Sequence, residues 1–449
     1  MIIDNKILKI AIPSIVTNIT VPLLGLIDVA IVGHLGSAAY IGAIAVGGLV
    51  FNIIYWVFAF LRMGTTGMAS QAYGKRDLDE SVRLLLRSVG TGFVISIILV
   101  ILQYPILNTA FLFVKATPEV RALASTYFHI LIWGAPAVLG LYGFTGWYIG
   151  MQNSRFPMLI ALVQNVVNIL CSLSLVYLFH LKMEGVAFGT LTAQYAGLIM
   201  AVFLWTRFYK RLRKRIFVQG VWRRKAMLGF FAVNRDIFLR TICLVAVMMY
   251  FTSAGASQGN TVLAVNTLLM QFFILFSYFT DGFAYAGEAL VGKYVGAGNR
   301  TSLNKTIKEL FAWGFGIAAL FTCLYCFGEN FLIRFLTNEP EVIGTAHGYS
   351  LWICAVPLMS ISAFVWDGVY IGATATRQML LSMFLAAAIF FITYLSLRTA
   401  FGNHALWLAF LLYLFSRGLF QTVLSKSVLD KKCKRESIKC AKENTSIPL

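Results

Sequence analysis

Hydrophobic residues in this chain fall into long runs that are separated by short polar stretches. A helix needs about 20 apolar residues to cross the hydrocarbon core of a bilayer, and twelve runs reach that length. Their approximate bounds are 7–33, 41–70, 86–114, 122–150, 157–179, 185–206, 228–255, 261–292, 306–328, 342–372, 378–397 and 404–428. The pattern therefore predicts an all-α polytopic membrane protein with twelve transmembrane helices.

The composition agrees with this pattern. Hydrophobic residues make up 59% of the 449 residues and charged residues 12%, whereas soluble domains have roughly 45–50% and 25%. The mean hydropathy is +0.78. A soluble fold has too little interior to hide this much apolar surface, so a cytosolic enzyme, a disordered chain and a secreted disulfide scaffold are excluded.

The charges predict an orientation. There are 37 Lys and Arg against 18 Asp and Glu, giving a net charge of +19. With the N-terminus inside, twenty-eight of these cations fall on the cytoplasmic side and five on the other, as the positive-inside rule requires. We expect a multi-pass protein of the cell inner (plasma) membrane with both termini cytoplasmic. The basic runs Lys210–Arg215 and Lys431–Arg435 are expected to face anionic headgroups, and no nucleic-acid partner is expected.

The two halves of the chain resemble each other at an offset of about 222 residues. Tyr148–Gly150 recurs as Tyr370–Gly372, and Gly74 matches Gly296. An even number of spans in each half gives a parallel repeat, which suits two pseudo-symmetric six-helix bundles around a central cavity. The predicted parts are an N-terminal lobe at 1–206, a basic cytoplasmic linker at 207–227, a C-terminal lobe at 228–428 and a basic cytoplasmic tail at 429–449.

Ionisable residues inside spans are costly and are therefore functional candidates. Asp28 lies past the middle of the first span, and no Lys or Arg is within helical reach on that span. Low dielectric penalises an unpaired carboxylate in its charged form, so Asp28 could load and release a proton. Pro22 frees a backbone carbonyl and permits a bend nearby. We interpret Asp28 as a switch, the alternative being a structural residue satisfied by neighbouring helices.

Three carboxylates in the second half are further candidates. Asp367 lies ten residues after Pro357 in the tenth span. Asp281 and Glu288 are two turns apart on the eighth span and share a face. These two could line the cavity, or they could pair with Arg240 or Arg417 to stabilise the second bundle.

Uncharged polar residues form a second set. Gln164, Asn168 and Ser172 follow one another at single turns on the fifth span, and Thr190 lies on the sixth. A polar stripe in lipid must face protein or water, so it is either interhelical glue or a cation and water site near Asp28. An adaptable substrate cavity would suit methionines and aromatics, and the candidates are Met63, Tyr142, Met151 and Met270.

Catalytic and metal-binding chemistry is not expected. No His-Glu-x-x-His zinc motif occurs, and the five histidines lie singly near span ends. Cys323-x-x-Cys326 has no second pair or nearby His to complete a metal site. We predict neither an enzyme nor a cofactor.

Several segments are similar to the DinF-type branch of the MATE (multidrug and toxin extrusion) family. They are Gly25–Gly36 around Asp28, Phe60–Gly67, Asn234–Phe238, and Asp281–Phe283 with Glu288–Gly292. The resemblance covers residues 5 to 425. It implies that Asp28 matches the aspartate whose protonation bends the first helix, and that Asn168 and Thr190 match polar residues of a cation site. Ser172 stands where the family often has a second aspartate, and Asp367 matches an aspartate that takes part in coupling in other branches.

The resemblance implies a secondary active antiporter that exports lipophilic, often cationic compounds by alternating access. The coupling ion is expected to be a proton, with sodium as the second candidate. The alternative function is a lipid-linked oligosaccharide flippase of the same superfamily, although the few embedded cations do not favour a diphosphate ligand. The expected partners are small molecules and the lipid bilayer, and the expected state is a monomer.

Overall fold

The protein is helical throughout the part of the chain that the structure, a computed structural model, describes: residues 2–33, 37–114, 117–216 and 219–445. Sixteen α-helices follow one another along it. In chain order they are α1 Ile2–Gly33, α2 Ala38–Phe58, α3 Phe60–Lys75, α4 Leu78–Ile101, α5 Gln103–Phe113, α6 Pro118–Leu131, α7 Ala135–Gly150, α8 Arg155–Leu173, α9 Met183–Phe208, α10 Lys210–Arg213, α11 Arg224–Ala256, α12 Asn260–Gly296, α13 Arg300–Leu336, α14 Pro340–His347, α15 Ser350–Gly372 and α16 Thr376–Thr445.

Within these described ranges, eleven helices are long and apolar enough to cross a membrane. The last of them, Thr376–Lys434, contains two predicted spans. Gly402 separates these two, because its φ of 51° and ψ of −122° break α16. The described helices thus account for all twelve predicted spans. The third predicted span, 86–114, is itself divided between α4 and α5 at Leu102.

The backbone repeats at the offset that the sequence predicts. Left-handed residues outside regular helix are uncommon except at glycine, yet three of them recur 222 residues later. The pairs are Arg76 (φ 61°) with Gly298 (63°), Gln152 (67°) with Thr374 (49°), and His180 (53°) with Gly402 (51°). Positive φ angles of similar size therefore recur at the same three places of each half.

Helix starts repeat as well. Asp77 Oδ1 accepts a hydrogen bond from Glu80 N at 2.9 Å at the start of α4. Asn299, which is 222 residues later, accepts one from Ser302 N at 3.0 Å at the start of α13. Both are side-chain caps of an exposed helix N-terminus, and the chemistry of the cap is kept while the residue type changes.

Close helix packing recurs at two glycine pairs. A Cβ on Gly146 would lie 2.3 Å from the carbonyl oxygen of Arg62, and a Cβ on Gly368 would lie 2.3 Å from that of Ala284. A Cβ on Gly150 would lie 2.7 Å from the nearest atom of α3, and a Cβ on Gly372 would lie 2.7 Å from the nearest atom of α12. Small residues let membrane helices approach closely without an apolar driving force. The α3–α7 and α12–α15 packings are therefore equivalent.

The chain divides into two compact units. The N-terminal unit is Val16–Phe231, and the C-terminal unit is Met1–Ile15 together with Ala232–Leu449. Residues 1–15 thus belong to the C-terminal unit, where Ala11 and Ile15 pack against Gly282, so α1 is shared between the units. The lobes predicted at 1–206 and 228–428 stay a prediction, and the compact units differ from them at these first residues and at the linker.

The predicted linker and tail both contain structure. Residues 207–227 group with the N-terminal unit, apart from 217–218, which lie outside the described residues. The tail extends α16 to Thr445, and residues 446–449 also lie outside the described part. Leu429 and Cys433 are buried, and Lys432 Nζ donates to the carbonyl of Thr374 at 3.0 Å. The first turns of the tail therefore pack on the C-terminal unit.

Candidate functional site

Asp28 is part of a short chain of hydrogen bonds between α1, α8 and α9. Its carboxylate is buried, with 4% of the residue exposed. Thr190 Oγ1 donates to Asp28 Oδ2 at 2.9 Å, and Asn168 Nδ2 donates to Thr190 Oγ1 at 2.9 Å. The hydroxyl of Thr190 therefore connects the carboxylate to the amide, and each of the three helices contributes one side chain.

Glycines on α9 set how closely α8 packs beside this network. A Cβ on Gly189 would lie 2.1 Å from Ser172 Oγ, and one on Gly197 would lie 2.6 Å from the Gln164 side chain. Ser172 and Gln164 thus flank Asn168 at the α8–α9 contact. Of the five predicted residues, the structure joins Asp28, Asn168 and Thr190 in one hydrogen-bonded chain and places Ser172 and Gln164 in the packing beside it.

Three oxygens around this chain have no hydrogen-bond partner among the described residues. They are Asp28 Oδ1, Asn168 Oδ1 and Ser172 Oγ, and all are buried. Buried polar groups are normally satisfied. No Lys or Arg side chain of the described ranges contributes to the electrostatic environment of Asp28, whose neighbours are Thr190 and Asn168. The arrangement offers oxygen acceptors and one carboxylate, which is the chemistry of a proton or a small monovalent cation.

A multidentate metal site is not formed here. Across the described residues, no group of three or more His, Cys, Asp and Glu side chains could hold a metal ion. Asp28 is the single carboxylate of its network, and the other polar groups in it are neutral. A divalent cation would normally need more charged oxygen ligands than this.

Tyr127 on α6 is a neighbour of Asp28 that the sequence did not indicate. It is buried, it lies close enough to Asp28 for an electrostatic interaction, and its ring packs on Gly47 of α2, where a Cβ would lie 2.5 Å away. Sequence spacing carries no signal for this electrostatic interaction, because Tyr127 and Asp28 lie far apart in the chain.

The backbone of α1 near Pro22 forms a hydrogen bond with a side chain of α8. Asn165 Nδ2 donates to the carbonyl oxygen of Thr20 at 3.3 Å. Because proline has no amide hydrogen, Pro22 cannot bond the carbonyl of Asn18 four residues earlier. Asn165 binds the carbonyl of Thr20, which is a different group. α1 nevertheless runs as one helix through Pro22 to Gly33.

Asp367 has a different environment. Its Oδ2 accepts hydrogen bonds from Nη2 of Arg240 and, at 2.6 Å, from Nη2 of Arg417. Its Oδ1 accepts one from Gln421 Nε2 at 2.8 Å. All four side chains are buried and come from α11, α15 and α16. The two arginines that the sequence offered as partners for Asp281 or Glu288 thus both bind Asp367.

Asp281 and Glu288 both lie on α12. Asp281 is half-buried and acts electrostatically on Arg417, whereas Glu288 is 2% exposed. A Cβ on Gly372 would lie 2.7 Å from the carbonyl oxygen of Glu288. Glu288 therefore lies at one of the close contacts between α12 and α15.

The four predicted cavity residues are not gathered in one place within either unit. Tyr142 donates its hydroxyl hydrogen to the carbonyl of Tyr55 at 3.1 Å. It packs in an apolar cluster that includes residues of α2 and α6. Met151 packs in a separate cluster with Trp147 and Tyr148. Met63 on α3 and Met270 on α12 are half-buried. Their role in a substrate cavity stays a prediction.

Two apolar grooves lie away from these networks. One, of about 570 Å³, is lined by α15 and α16 residues that include Trp352, Met359 and Phe415. The other, of about 480 Å³, is lined by α4, α7 and α9 residues that include Phe93, and by Trp133 just before α7. Neither contains Asp28 or Asp367, so we do not assign the site to them.

A nucleophile-elbow pattern also occurs, at Gly255-Ala256-Ser257-Gln258-Gly259. In hydrolases that pattern lies on a strand-to-helix turn. Here it lies at the end of α11, no strand occurs in the described ranges, and Ser257 Oγ donates to the Ala254 carbonyl at 2.8 Å. The serine closes a helix end and is not an activated nucleophile.

Twelve membrane-spanning helices with carboxylates buried among them define a polytopic membrane transporter. The family model MatE matches residues 13–173 and 237–395. The chain is 34% identical to DNA damage-inducible protein F of Escherichia coli over 420 residues, which is 93% of this chain and 90% of that one. The chain belongs to the MatE family of membrane transporters, and the predicted family is confirmed.

More distant comparisons agree. The chain is 23% identical to Multidrug and toxin extrusion protein 1 of Danio rerio, over 96% of this chain and 74% of that protein. It also superimposes on the crystal structure of the eukaryotic MATE transporter AtDTX14 with a TM-score of 0.84 and 15% identity, covering 96% of this chain and 98% of that one. This likeness confirms the twelve-helix fold.

Proposed function

We propose that this transporter is a secondary active antiporter that exports lipophilic, often cationic compounds in exchange for protons. The observation that carries the proposal is the environment of Asp28, a buried carboxylate whose neighbours are neutral. Export of drugs and toxins is further supported by the name of the Danio rerio relative. Sodium is the second candidate for the coupling ion.

Protonation of Asp28 would change the hydrogen bonds between three helices. With a charged carboxylate, the Thr190 hydroxyl donates to Asp28 and accepts from Asn168. A proton on Oδ2 would make that oxygen the donor and the Thr190 oxygen the acceptor, so the hydroxyl hydrogen of Thr190 would turn to another acceptor, whereas a proton on Oδ1 would leave the bond as it is. Loading of Oδ2 would therefore reverse the hydrogen bond between α1 and α9, and we propose that this change couples proton loading to the position of α1.

Pro22 provides a place where α1 could respond. It lies less than two turns before Asp28, and the nearby carbonyl of Thr20 is held by Asn165 from α8. If the bond to Thr190 on α9 weakens, the hydrogen bond between Asn165 and Thr20 still connects α1 to α8. We propose that the protonated state bends α1 at Pro22 and the charged state keeps it straight.

Dye transport in proteoliposomes tests the proposal. A pH gradient and a sodium gradient are imposed separately on vesicles that contain the wild type, Asp28→Asn or Asp77→Asn, and ethidium movement is recorded. Asp77 is a matched control because its exposed carboxylate caps α4. We expect the pH gradient to drive transport by the wild type and Asp77→Asn, and Asp28→Asn to fall to the level of protein-free vesicles. Transport driven by sodium alone and intact in Asp28→Asn would contradict proton coupling.

The alternative, a lipid-linked oligosaccharide flippase, would need cations that are free to bind a diphosphate. In the C-terminal unit the buried Arg240 and Arg417 both bind Asp367, which does not favour that function. We also propose an inner-membrane location with both termini cytoplasmic, and reaction of a membrane-impermeant thiol reagent with a cysteine added after Leu449 in intact cells would contradict it.

A further inference from the structure

The segment between α9 and α11 carries an unusual density of positive charge. Residues 207–225 contain nine Lys and Arg and no Asp or Glu. All nine side chains are exposed. Arg215 forms an ion pair with Asp79 at 2.6 Å. The remaining eight make no ion pair within the described part of the chain, so they can attract an external anion.

This segment is not a loose tether. Arg87 is 2% exposed, and it donates through Nε to the carbonyl of Val221 at 2.6 Å and through Nη2 to that of Gly220 at 3.3 Å. Arg83 Nε donates to the carbonyl of Gln219 at 3.1 Å. Glu80 orients both arginines through ion pairs at 2.6 and 3.2 Å. Charge-assisted hydrogen bonds of this kind are strong, so the segment is fixed to α4.

Aromatic and aliphatic contacts fix it at further points. Leu212, a residue of α10, is buried. The Tyr209 ring lies 4.9 Å from that of Trp147. The edge of the Trp222 ring rests on Gly90, where a Cβ would lie 2.6 Å away, yet Trp222 is 58% exposed. Exposed tryptophan is typical of the level of lipid headgroups.

The two helices that the segment joins place it at a membrane surface. It follows α9, which ends at Phe208, and precedes α11, which begins at Arg224, and both helices are membrane spans. Each of the nine cations is therefore within a few residues of a span end. A polybasic stretch at this position attracts anionic lipid headgroups within about a Debye length.

We propose that the described residues of this segment, 207–216 and 219–225, form a preformed binding surface for the anionic phospholipids of the adjacent leaflet. The arginines at positions 83 and 87 hold the backbone, so the cations are presented to headgroup phosphates without first being ordered. Lower ordering cost on binding raises affinity. Nucleic acid is less favoured, because a surface that begins and ends in membrane spans meets headgroups first.

The test uses the full-length protein in neutral detergent and follows its thermal unfolding. Phosphatidylglycerol or phosphatidylcholine is added to the micelles at equal concentration, at low and high salt. We expect phosphatidylglycerol to raise the melting temperature by several degrees and phosphatidylcholine to leave it unchanged. High salt should reduce the shift because it screens exposed charges.

Two variants with the same net charge distinguish lipid binding by this segment from a general effect of the protein's charge. The first removes five cations of the segment: Arg211→Gln, Arg213→Gln, Lys214→Gln, Arg223→Gln and Arg224→Gln. The second removes five exposed cations of the C-terminal unit that lie outside the basic run of the tail: Lys308→Gln, Arg334→Gln, Arg377→Gln, Arg398→Gln and Lys426→Gln. We expect the first variant to lose at least half of the phosphatidylglycerol shift and the second to keep it, while both unfold within a few degrees of the wild type without lipid.

Three results would overturn the proposal. One is an equal loss in both variants, which would show a general charge effect. Another is an equal shift with phosphatidylcholine. The third is a shift of the same size when a short DNA duplex replaces the lipid at matched phosphate concentration, which would point to nucleic acid. If the segment variant is unstable without lipid, direct counting of co-purified phosphatidylglycerol by mass spectrometry decides, and no difference from the wild type would refute the surface.

Discussion

Asp28 of the N-terminal unit and Asp367 of the C-terminal unit are buried to a comparable depth, and their hydrogen-bond partners differ. Asp28 is 4% exposed and Asp367 is 6% exposed. Asp28 accepts from a threonine hydroxyl, whereas Asp367 accepts from two guanidinium groups and an amide. A proton on Asp28 leaves no buried charge behind, but a proton on Asp367 would leave two buried arginines without their counter-ion. The two carboxylates therefore differ in their partners and not in their burial.

The largest effect is expected from giving Asp28 a permanent cation. Thr190→Lys should place an ammonium group beside the carboxylate and keep it charged, so that transport driven by a pH gradient is lost completely. Thr190→Met is the matched control, because it has a similar length and no charge. Ethidium transport is measured in proteoliposomes for both variants. Proton-driven transport by Thr190→Lys at the wild-type rate would contradict the expected difference between Asp28 and Asp367.

Asp367→Asn should cost about 3–5 kcal/mol of folding free energy, because it removes the charge that the buried Arg240 and Arg417 both bind. Asp28→Asn removes no charge partner and should cost much less, about 1 kcal/mol. Denaturant titration of both variants in detergent compares the two losses. Equal losses would show that the arginines do not distinguish the two sites.

Gly368→Ala and Gly146→Ala should destabilise the two units to a similar extent. Each added Cβ meets a backbone oxygen at 2.3 Å, and overpacking of this kind costs about 1–3 kcal/mol. Gly48→Ala is the control, because nothing lies within 4 Å of its Cβ position. Thermal unfolding should rank the control near the wild type, and a large loss in one glycine variant alone would limit the equivalence of the units.

The smallest effect is expected from Thr190→Val, which removes the hydroxyl and keeps the shape. It should lower stability by about 0.6–2 kcal/mol, the range of interhelical hydrogen bonds in membranes. It should nevertheless slow proton-driven transport, because Asp28 loses the group that reports its protonation to α9. Unchanged transport together with reduced stability would make Thr190 a packing residue only.

Much of the fold could be predicted because lipid imposes a simple length rule. The twelve apolar runs all lie in described helices, and the offset of 222 residues reappears in backbone turns and glycine contacts. The gap between the last two runs also predicted the break at Gly402. The division of α1 between the units was not predictable, because it depends on which helices pack together, and hydrophobicity alone does not encode that.

The candidate site shows the same limit. Asp28, Asn168 and Thr190 could be named from the cost of polar groups in lipid and from a family resemblance, and the structure brings all three together. Tyr127 could not be named, and neither could the choice of Asp367 over Asp281 or Glu288 as the partner of both arginines. Contacts between side chains far apart in the chain leave no periodic signal.

The sequence by itself determined that this protein is a membrane protein with twelve spans, a repeated half and four embedded carboxylates, because apolar length and the price of charge in lipid are properties of the chain. Only the tertiary structure decided which carboxylate stays without a cation, which two arginines share one partner, and that the basic linker is fixed to α4. Those outcomes depend on distances of a few ångströms between helices, and such distances exist only after the helices have packed.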